Sequence, residues 1–254
     1  MAVPTRNPAL TLPDLVVIGA MKCATTALHT YLDAHPDIVM WPGKEANFFT
    51  GDATPPPVDR EEWWRHGQWH RGVGWYASLF DPGAKLRGES SPGYTAPDNP
   101  LAAERMAAVI PEARLVYLVR DPVERAVSQY AHHVRDGDET RPVGEALLDP
   151  DSQYVARSRY AERLQPFLDH FERDQVLVVV QERLRDRRRE EMRRVYAHVG
   201  ADPQWWHETL QQEWHVGGAR ADLPADVALE FRGRVREDVA RLRTMIGDQI
   251  PEWT

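Results

Sequence analysis

The chain alternates short apolar runs with stretches of helical period. Leu15-Val16-Val17-Ile18 is continuously apolar and ends at Gly19, the pattern of a strand buried on both faces. Arg114–Val119 and Gln175–Val180 read the same way, and Leu86–Glu89 is a fourth, shorter run. Between them the period changes to that of a helix. From Thr25 to Ala34, the residues Ala27, Leu28, Tyr31 and Leu32 share one face. Pro122 suits the first turn of a helix running to about Arg135. An Arg/Glu-rich helix is expected from about Arg185 to His198, and a long amphipathic one from Ala225 to Ile246. Strands spaced by helices predict an α/β fold, a three-layer sandwich with a central parallel sheet.

Punctuation sets the organisation. The sequence predicts one domain over residues 1–254, with a flexible lead-in over 1–13 that carries Pro4, Pro8 and Pro13. Three consecutive prolines in GDATPPPVDR mark a loop, and segments 51–75 and 201–224 are expected to be mobile or inserted.

Composition narrows the class. With 254 residues, 42% hydrophobic and 28% charged, the chain is an ordinary globular one. Mean hydropathy of -0.56 and the lack of an 18-residue apolar run exclude a transmembrane helix. No apolar signal segment precedes the first strand, so a cytoplasmic location is expected. Cys23 is the single cysteine, which excludes a disulfide framework or a cysteine-built metal site. A net charge of -8 argues against nucleic acid as partner. Lysine occurs only at Lys22, Lys44 and Lys85, so 28 of the 31 basic residues are arginine. A rare lysine within a glycine-containing loop therefore stands out.

That loop is Gly19-Ala20-Met21-Lys22-Cys23-Ala24-Thr25-Thr26, set directly between a strand and a helix. A helix N-terminus presents unpaired N–H groups and the positive end of the macrodipole, which together favour a bound anion. Thr25 and Thr26 add hydroxyls and Lys22 a point charge. The nucleotide-triphosphatase loop has Lys immediately before Ser/Thr. Here Lys22 precedes Thr25 by three residues and the second glycine is absent.

The segment Val17 to Leu28 resembles the 5′-phosphosulfate loop of sulfotransferases that use 3′-phosphoadenosine 5′-phosphosulfate (PAPS), with Ala24 where that family usually has Gly. A second segment, Leu115 to Tyr130, resembles the family's 3′-phosphate motif, in which an arginine at the strand end and a serine on the following helix hold the 3′-phosphate. These are Arg120 and Ser128 here. Lys44-Glu45-Ala46-Asn47-Phe48-Phe49 is similar to the K-E-x-x-F-F segment of the carbohydrate-type branch, which carries the proposed catalytic Glu. Gly88 to Tyr94 looks like the acceptor-side loop. Several carbohydrate members have a lysine there; Ser90 or a neighbour replaces it, which counts against a heparan-type acceptor.

The resemblance implies a P-loop nucleotide-hydrolase-like fold and sulfuryl transfer from PAPS to a hydroxyl or amine of a glycan, lipid or natural product. The nucleotide leaves as 3′,5′-adenosine bisphosphate (PAP), and no metal is required. It assigns Glu45, Lys22 and Lys44 to catalysis. Gly19, Lys22, Cys23, Ala24, Thr25, Thr26, Arg120, Ser128, Tyr160 and Arg220 fall to the nucleotide, and Phe48, Ser90, Tyr94, Trp75 and His132 to the acceptor.

Other readings stand beside these. Lys44 and Glu45 are also consistent with a solvated pair. His132 and His133 are rival bases, or a helix-surface pair. Cys23 at a helix N-terminus has the position of a nucleophile, but packing behind the loop is the simpler reading. Trp63, Trp64, Trp69, Trp75 and Tyr76 form either core or an apolar acceptor wall. The run Arg185 to Glu191 reads as a solvated face with i,i+3 and i,i+4 pairs. A different class remains open: a P-loop-type nucleotide kinase or nucleotide-binding module with Asp121 as a magnesium ligand.

Overall fold

The computed structural model describes residues 10–55, 67–212 and 222–253. Five parallel strands form one sheet: β1 (Leu15–Gly19), β2 (Ile38–Met40), β3 (Leu86–Ser90), β4 (Arg114–Val119) and β5 (Val176–Val180), in the order β2-β3-β1-β4-β5. All five β1 residues are buried, as the continuous apolar run requires. Val16 pairs with Glu89 on β3 and with Leu115 on β4. β1 is thus the central strand from which the chain departs to both sides, and open α/β sheets bind ligands at the carboxyl ends of strands at such a switch point.

Two sets of helices cover the sheet. α1 (Thr25–Asp33) follows β1, and its Ala27, Leu28, Tyr31 and Leu32 are buried. α2 (Gly72–Ala77) and α3 (Ala102–Val109) flank β3 in sequence. α4 (Pro122–Asp136) follows β4; α5 (Val143–Leu148), α6 (Gln153–Ser158) and α7 (Tyr160–Leu168) come before β5. α8 (Gln181–Asp186), α9 (Arg188–Val199) and α10 (Ala225–Ile246) complete the described chain. Tyr196 of α9 donates its hydroxyl to the Tyr31 carbonyl of α1 at 2.9 Å, joining the two helices. Tyr117 of β4 meets Tyr160 of α7, and α7 in turn packs on α3 and α10.

Two departures from the sequence reading have local causes. The expected 185–198 helix is two helices, α8 and α9, broken at Arg187 with φ −132° and ψ 45°. Its charges also reach further than i,i+4: Arg187 pairs with Glu252 at 2.7 Å, while Arg183 grips Asp248 and Glu252 from the chain's last turn. β2 was not anticipated. Three residues with the pattern buried-exposed-buried are too few to show a period.

α10 spans the expected residues and closes a second apolar cluster, in which Phe231 and Val235 pack with Val123, Ala126, Leu147 and Tyr154. Phe231 is fully buried. Phe231→Ala is therefore expected to cost about 3–5 kcal/mol by urea denaturation. A loss below about 1 kcal/mol would show that α10 does not seal this cluster.

Candidate functional site

The site is built where β1 and β4 end side by side. The Ala20 N–H donates to the Leu118 carbonyl at 2.8 Å, tying the loop after β1 to the neighbouring strand. Gly19 sits at φ +154°, where an added Cβ would collide with the Thr95 side chain, so the strand can leave the sheet only with glycine. Lys22 and Ala24 take left-handed conformations, φ 68° and 66°, and fold the loop back onto the start of α1. Ala24 occupies the N-cap position and offers no capping side chain. The first-turn amides of α1 are thus left for an outside acceptor. Thr25 is buried beside them and Thr26 is half-buried.

Positive charge converges on this loop. Burial lowers the Lys22 pKa, and Arg135, Arg120 and Lys44 lower it further, against the opposing carboxylate of Asp136. A partly buried cation with other cations around it is a setting that favours a bound anion. Ser128, His132, Arg135 and Asp136 recur at i, i+4, i+7 and i+8 along α4, so they share the helix face turned to Lys22. Arg120 leaves the end of β4 half-buried and pairs with Glu124 at 3.3 Å.

Behind the loop lies a polar scaffold. The Tyr160 hydroxyl donates to the Arg120 carbonyl at 2.8 Å and lies 3.6 Å from Cys23 Sγ, so a side chain expected at the nucleotide is enclosed and braces the two loops instead. Cys23 is fully buried, and desolvation raises its pKa to about 11; it remains a thiol and packs behind the loop. Arg125 is also fully buried. Its guanidinium donates to Ser158 Oγ (2.8 Å), Gln129 Oε1 (2.6 Å) and the Tyr154 carbonyl (2.7 Å), all neutral acceptors.

Asp121 caps α4. One carboxylate oxygen accepts the Val123 and Glu124 amides at 3.0 Å, and the other takes Arg232 at 2.8 Å. Its two oxygens are committed, which leaves the magnesium-ligand reading without its residue.

The second half of the site is the segment after β2. Lys44 Nζ and Glu45 Oε1 are 2.6 Å apart, with Glu45 the more exposed of the two, and the Ser90 amide donates to the Lys44 carbonyl at 3.1 Å. The segment is therefore docked on the end of β3. Phe48, Ser90 and Tyr94, expected at the acceptor, are all enclosed. Phe48 stacks on Tyr76 at 4.4 Å, the Tyr94 hydroxyl is spent on Glu89, and Ser90 Oγ lies 2.9 Å from His29 Nδ1. These residues support the site's floor and do not line it. Trp75 stays half-buried under Arg71, at 4.7 Å.

His132 is near the loop, its Nδ1 3.1 Å from Asp136, whereas His133 points to the Tyr154 hydroxyl at 3.0 Å and belongs to the α6 contact. Trp63, Trp64 and the stretch Trp214–Arg220, including Arg220, lie outside the described residues.

Sequence reasoning missed His29, Glu89, Arg125 and Arg135. His29 is one turn beyond Thr25 on α1, and its pKa is pushed down to about 4 by burial and then by Lys44. Arg135 was legible as the i+7 partner of Ser128. Nothing in the pattern marked Glu89 or Arg125 as buried, since both residue types normally lie on the surface.

Against this geometry the comparisons are decisive. A sequence model described as the sulfotransferase family matches residues 13–207. The chain belongs to the sulfotransferase family. It is 30% identical over 187 residues to a bifunctional heparan sulfate N-deacetylase/N-sulfotransferase 1 of Caenorhabditis elegans, covering 68% of this chain and 20% of that protein. It is 31% identical over 199 residues to mouse heparan sulfate glucosamine 3-O-sulfotransferase 3B1, covering 74% of this chain and 46% of that one. The chain thus spans less than half the length of these relatives. A solved sulfotransferase from Alicyclobacillus acidocaldarius superposes with a TM-score of 0.79 at 30% identity, over 95% of this chain and 98% of the other. Among the described residues no helix is long and apolar enough to cross a membrane, and no group of three or more His, Cys, Asp or Glu could hold a metal ion.

The chemistry of Cys23 gives a direct check. Alkylation by iodoacetamide at pH 8 should run roughly 100-fold slower in the native protein than in the urea-unfolded chain, because the buried group is almost wholly thiol. Equal rates would place Cys23 on the open face of the loop.

Proposed function

We propose that this sulfotransferase moves a sulfuryl group from PAPS to a hydroxyl or amine of a glycan, lipid or natural-product acceptor. The observation that carries this reading is the convergence of Lys22, Arg120 and the uncapped start of α1 at the β1–β4 switch point. The donor set suits a nucleotide with an anionic group at each end. The α1 amides, Thr25, Thr26 and Lys22 hold the phosphosulfate, while Arg120 and Ser128 grip the 3′-phosphate through charge-assisted hydrogen bonds.

In the reaction, the acceptor oxygen or nitrogen attacks sulfur in line with the bridging oxygen. The new bond to sulfur forms as the sulfur–oxygen bond to the 5′-phosphate breaks, and PAP leaves with that oxygen. Glu45 takes the acceptor proton, and the Lys44 ammonium lies 2.6 Å from its carboxylate. Lys22 and Lys44 balance the negative charge that gathers on the leaving oxygen. Exposed Glu45 faces the acceptor, and half-buried Trp75, 6.1 Å from Phe48, offers apolar surface to it.

Lys22 and Lys44 are the lysines of the proposed transfer site, so their removal should act on turnover more than on folding. Lys22→Ala is expected to lose several kcal/mol of transition-state stabilisation, comparable with the ~2.7–4 kcal/mol of an oxyanion-hole donor. The measurement is a PAPS-dependent screen over hydroxylated glycans, phenols and amphiphiles, with sulfated product followed by mass spectrometry. Near-normal turnover in the folded mutant would remove the loop from the mechanism. Glu45→Gln should lower kcat by ~10²–10⁴-fold while leaving PAP affinity unchanged. Retained turnover there, with collapse in His132→Ala, would move the base to α4. Arg120→Ala and Ser128→Ala should weaken PAP more than adenosine 5′-phosphosulfate, which lacks the 3′-phosphate, by roughly 1.5–3 kcal/mol per charge-assisted bond. An unchanged preference would overturn the 3′-phosphate assignment.

A further inference from the structure

Glu89 is the last but one residue of β3, and no part of its surface reaches solvent. Three hydroxyls donate to it: Tyr76 to Oε1 at 3.2 Å, Tyr94 to Oε1 at 2.5 Å, and Ser91 to Oε2 at 2.6 Å. Two of these hydroxyls also accept a backbone amide. Ser91 Oγ accepts the Asn47 N–H at 3.0 Å, and the Tyr94 hydroxyl accepts the Phe48 N–H at 3.1 Å. One buried carboxylate is thereby connected through two hydroxyls to consecutive amides, two and three residues after Glu45. The backbone it holds is not one the chain adopts freely. Lys44 and Asn47 flank the segment in left-handed conformations, φ 58° and 47°, which non-glycine residues seldom take without outside support.

From this relay we infer that Glu89 is a positioning residue, whose carboxylate sets the placement of the Glu45 segment through Ser91 and Tyr94. The catalytic part of the inference rests on Glu45 being the base; the structural part does not. The direction of the hydrogen bonds matters. While Glu89 is ionised it is a pure acceptor, and Ser91 and Tyr94 each point a hydrogen at the carboxylate and a lone pair at an amide. A protonated Glu89 brings its own O–H to the cluster, and one of Tyr76, Ser91 and Tyr94 must then turn its hydrogen away. Where that is Ser91 or Tyr94, the hydroxyl is no longer oriented by the carboxylate and its hold on the amide loosens.

The groups facing Glu89 come from four places. Tyr76 lies on α2, Tyr94 and Ser91 on the turn after β3, and Glu45, with Lys44 beside it, on the docked segment; His29 of α1 approaches through Ser90. Burial dominates and raises the Glu89 pKa to about 7, the three hydroxyls resist that rise, and the Glu45 charge adds to it. The relay is consequently tightest above neutral pH and looser below it.

Amide hydrogen exchange resolved at Asn47 and Phe48, followed from pH 5.5 to 8.5, tests the relay without any acceptor. In the wild type, protection of these two amides relative to intrinsic rates should drop as pH falls through about 7, while amides of β1 and β4 keep theirs. In Glu89→Gln the drop should vanish because the two amides are weakly protected throughout. Hydrolysis of PAPS to PAP, read by mass spectrometry, should fall ~10–100-fold in kcat, with PAP affinity within twofold, as expected for misplacement of a reacting group. Tyr94→Phe keeps the ring and removes one arm; should Glu89→Gln fail to fold, this variant must expose the Phe48 amide and leave that of Asn47. Protection at Asn47 and Phe48 that is independent of both pH and the substitutions would overturn the inference. Normal PAPS hydrolysis in Glu45→Gln, alongside exposed amides in Glu89→Gln, would instead defeat the role of Glu45 and leave the relay standing.

Discussion

Clustered positive charge at the ends of β1 and β4 governs the rest of this molecule. Arg135, Arg120 and Lys44 repel Lys22 there, Arg120 repels Arg125, and the uncapped start of α1 adds its own positive end. Arg125 shows the constraint most plainly. Burying a cation is tolerated when it is paired or fully hydrogen-bonded. Its partners are two side-chain oxygens and a carbonyl, all neutral, and the charged group nearest in effect is another cation, Arg120. Such an arrangement stores electrostatic cost that a bound anion relieves, and the nucleotide of the proposed reaction carries phosphates where that relief is required.

The surrounding elements hold these charges against their repulsion. Glu182 of α8 accepts the Asp121 amide at 2.9 Å and the Trp253 indole N–H at 3.2 Å, so the last turn of the chain bears on the start of α4. Arg232 of α10 reaches the same Asp121 carboxylate. Tyr160 then locks Arg120 and Cys23 from beneath. A helix distant in sequence therefore fixes where the strand-end arginine points. On the acceptor side the equivalent brace is Glu89, an anion held by hydroxyls. The two halves of the site are supported by buried groups of opposite sign.

Much of this was legible beforehand, for identifiable reasons. β1 and β4 are buried on both faces, so they appear as unbroken apolar runs, and α10 repeats its period for long enough to mark both ends. The loop around Lys22 was readable because lysine is rare in this chain and the loop lies between a strand and a helix, and the Arg120–Ser128 pair through its likeness to the family's 3′-phosphate motif. The Lys44-Glu45 segment was readable only by resemblance. Phe48, Ser90 and Tyr94 were assigned to the acceptor by resemblance, yet all three side chains are buried. Glu89 and Arg125 were invisible since their burial depends in part on Tyr76, 13 residues from Glu89, and on Tyr154 and Ser158, 29 and 33 residues from Arg125, which no short window of sequence brings together.

The central claim is that the β1–β4 site is completed by a nucleotide bisphosphate acting as the missing anion, without a metal ion. Thermal unfolding in EDTA, with PAP at about 100 times its Kd, measures it most directly. Binding to the native state alone should add ~2.7 kcal/mol and raise Tm by roughly 5–11 °C. Absence of any shift with PAP, together with a rise on adding magnesium and ATP, would contradict the account.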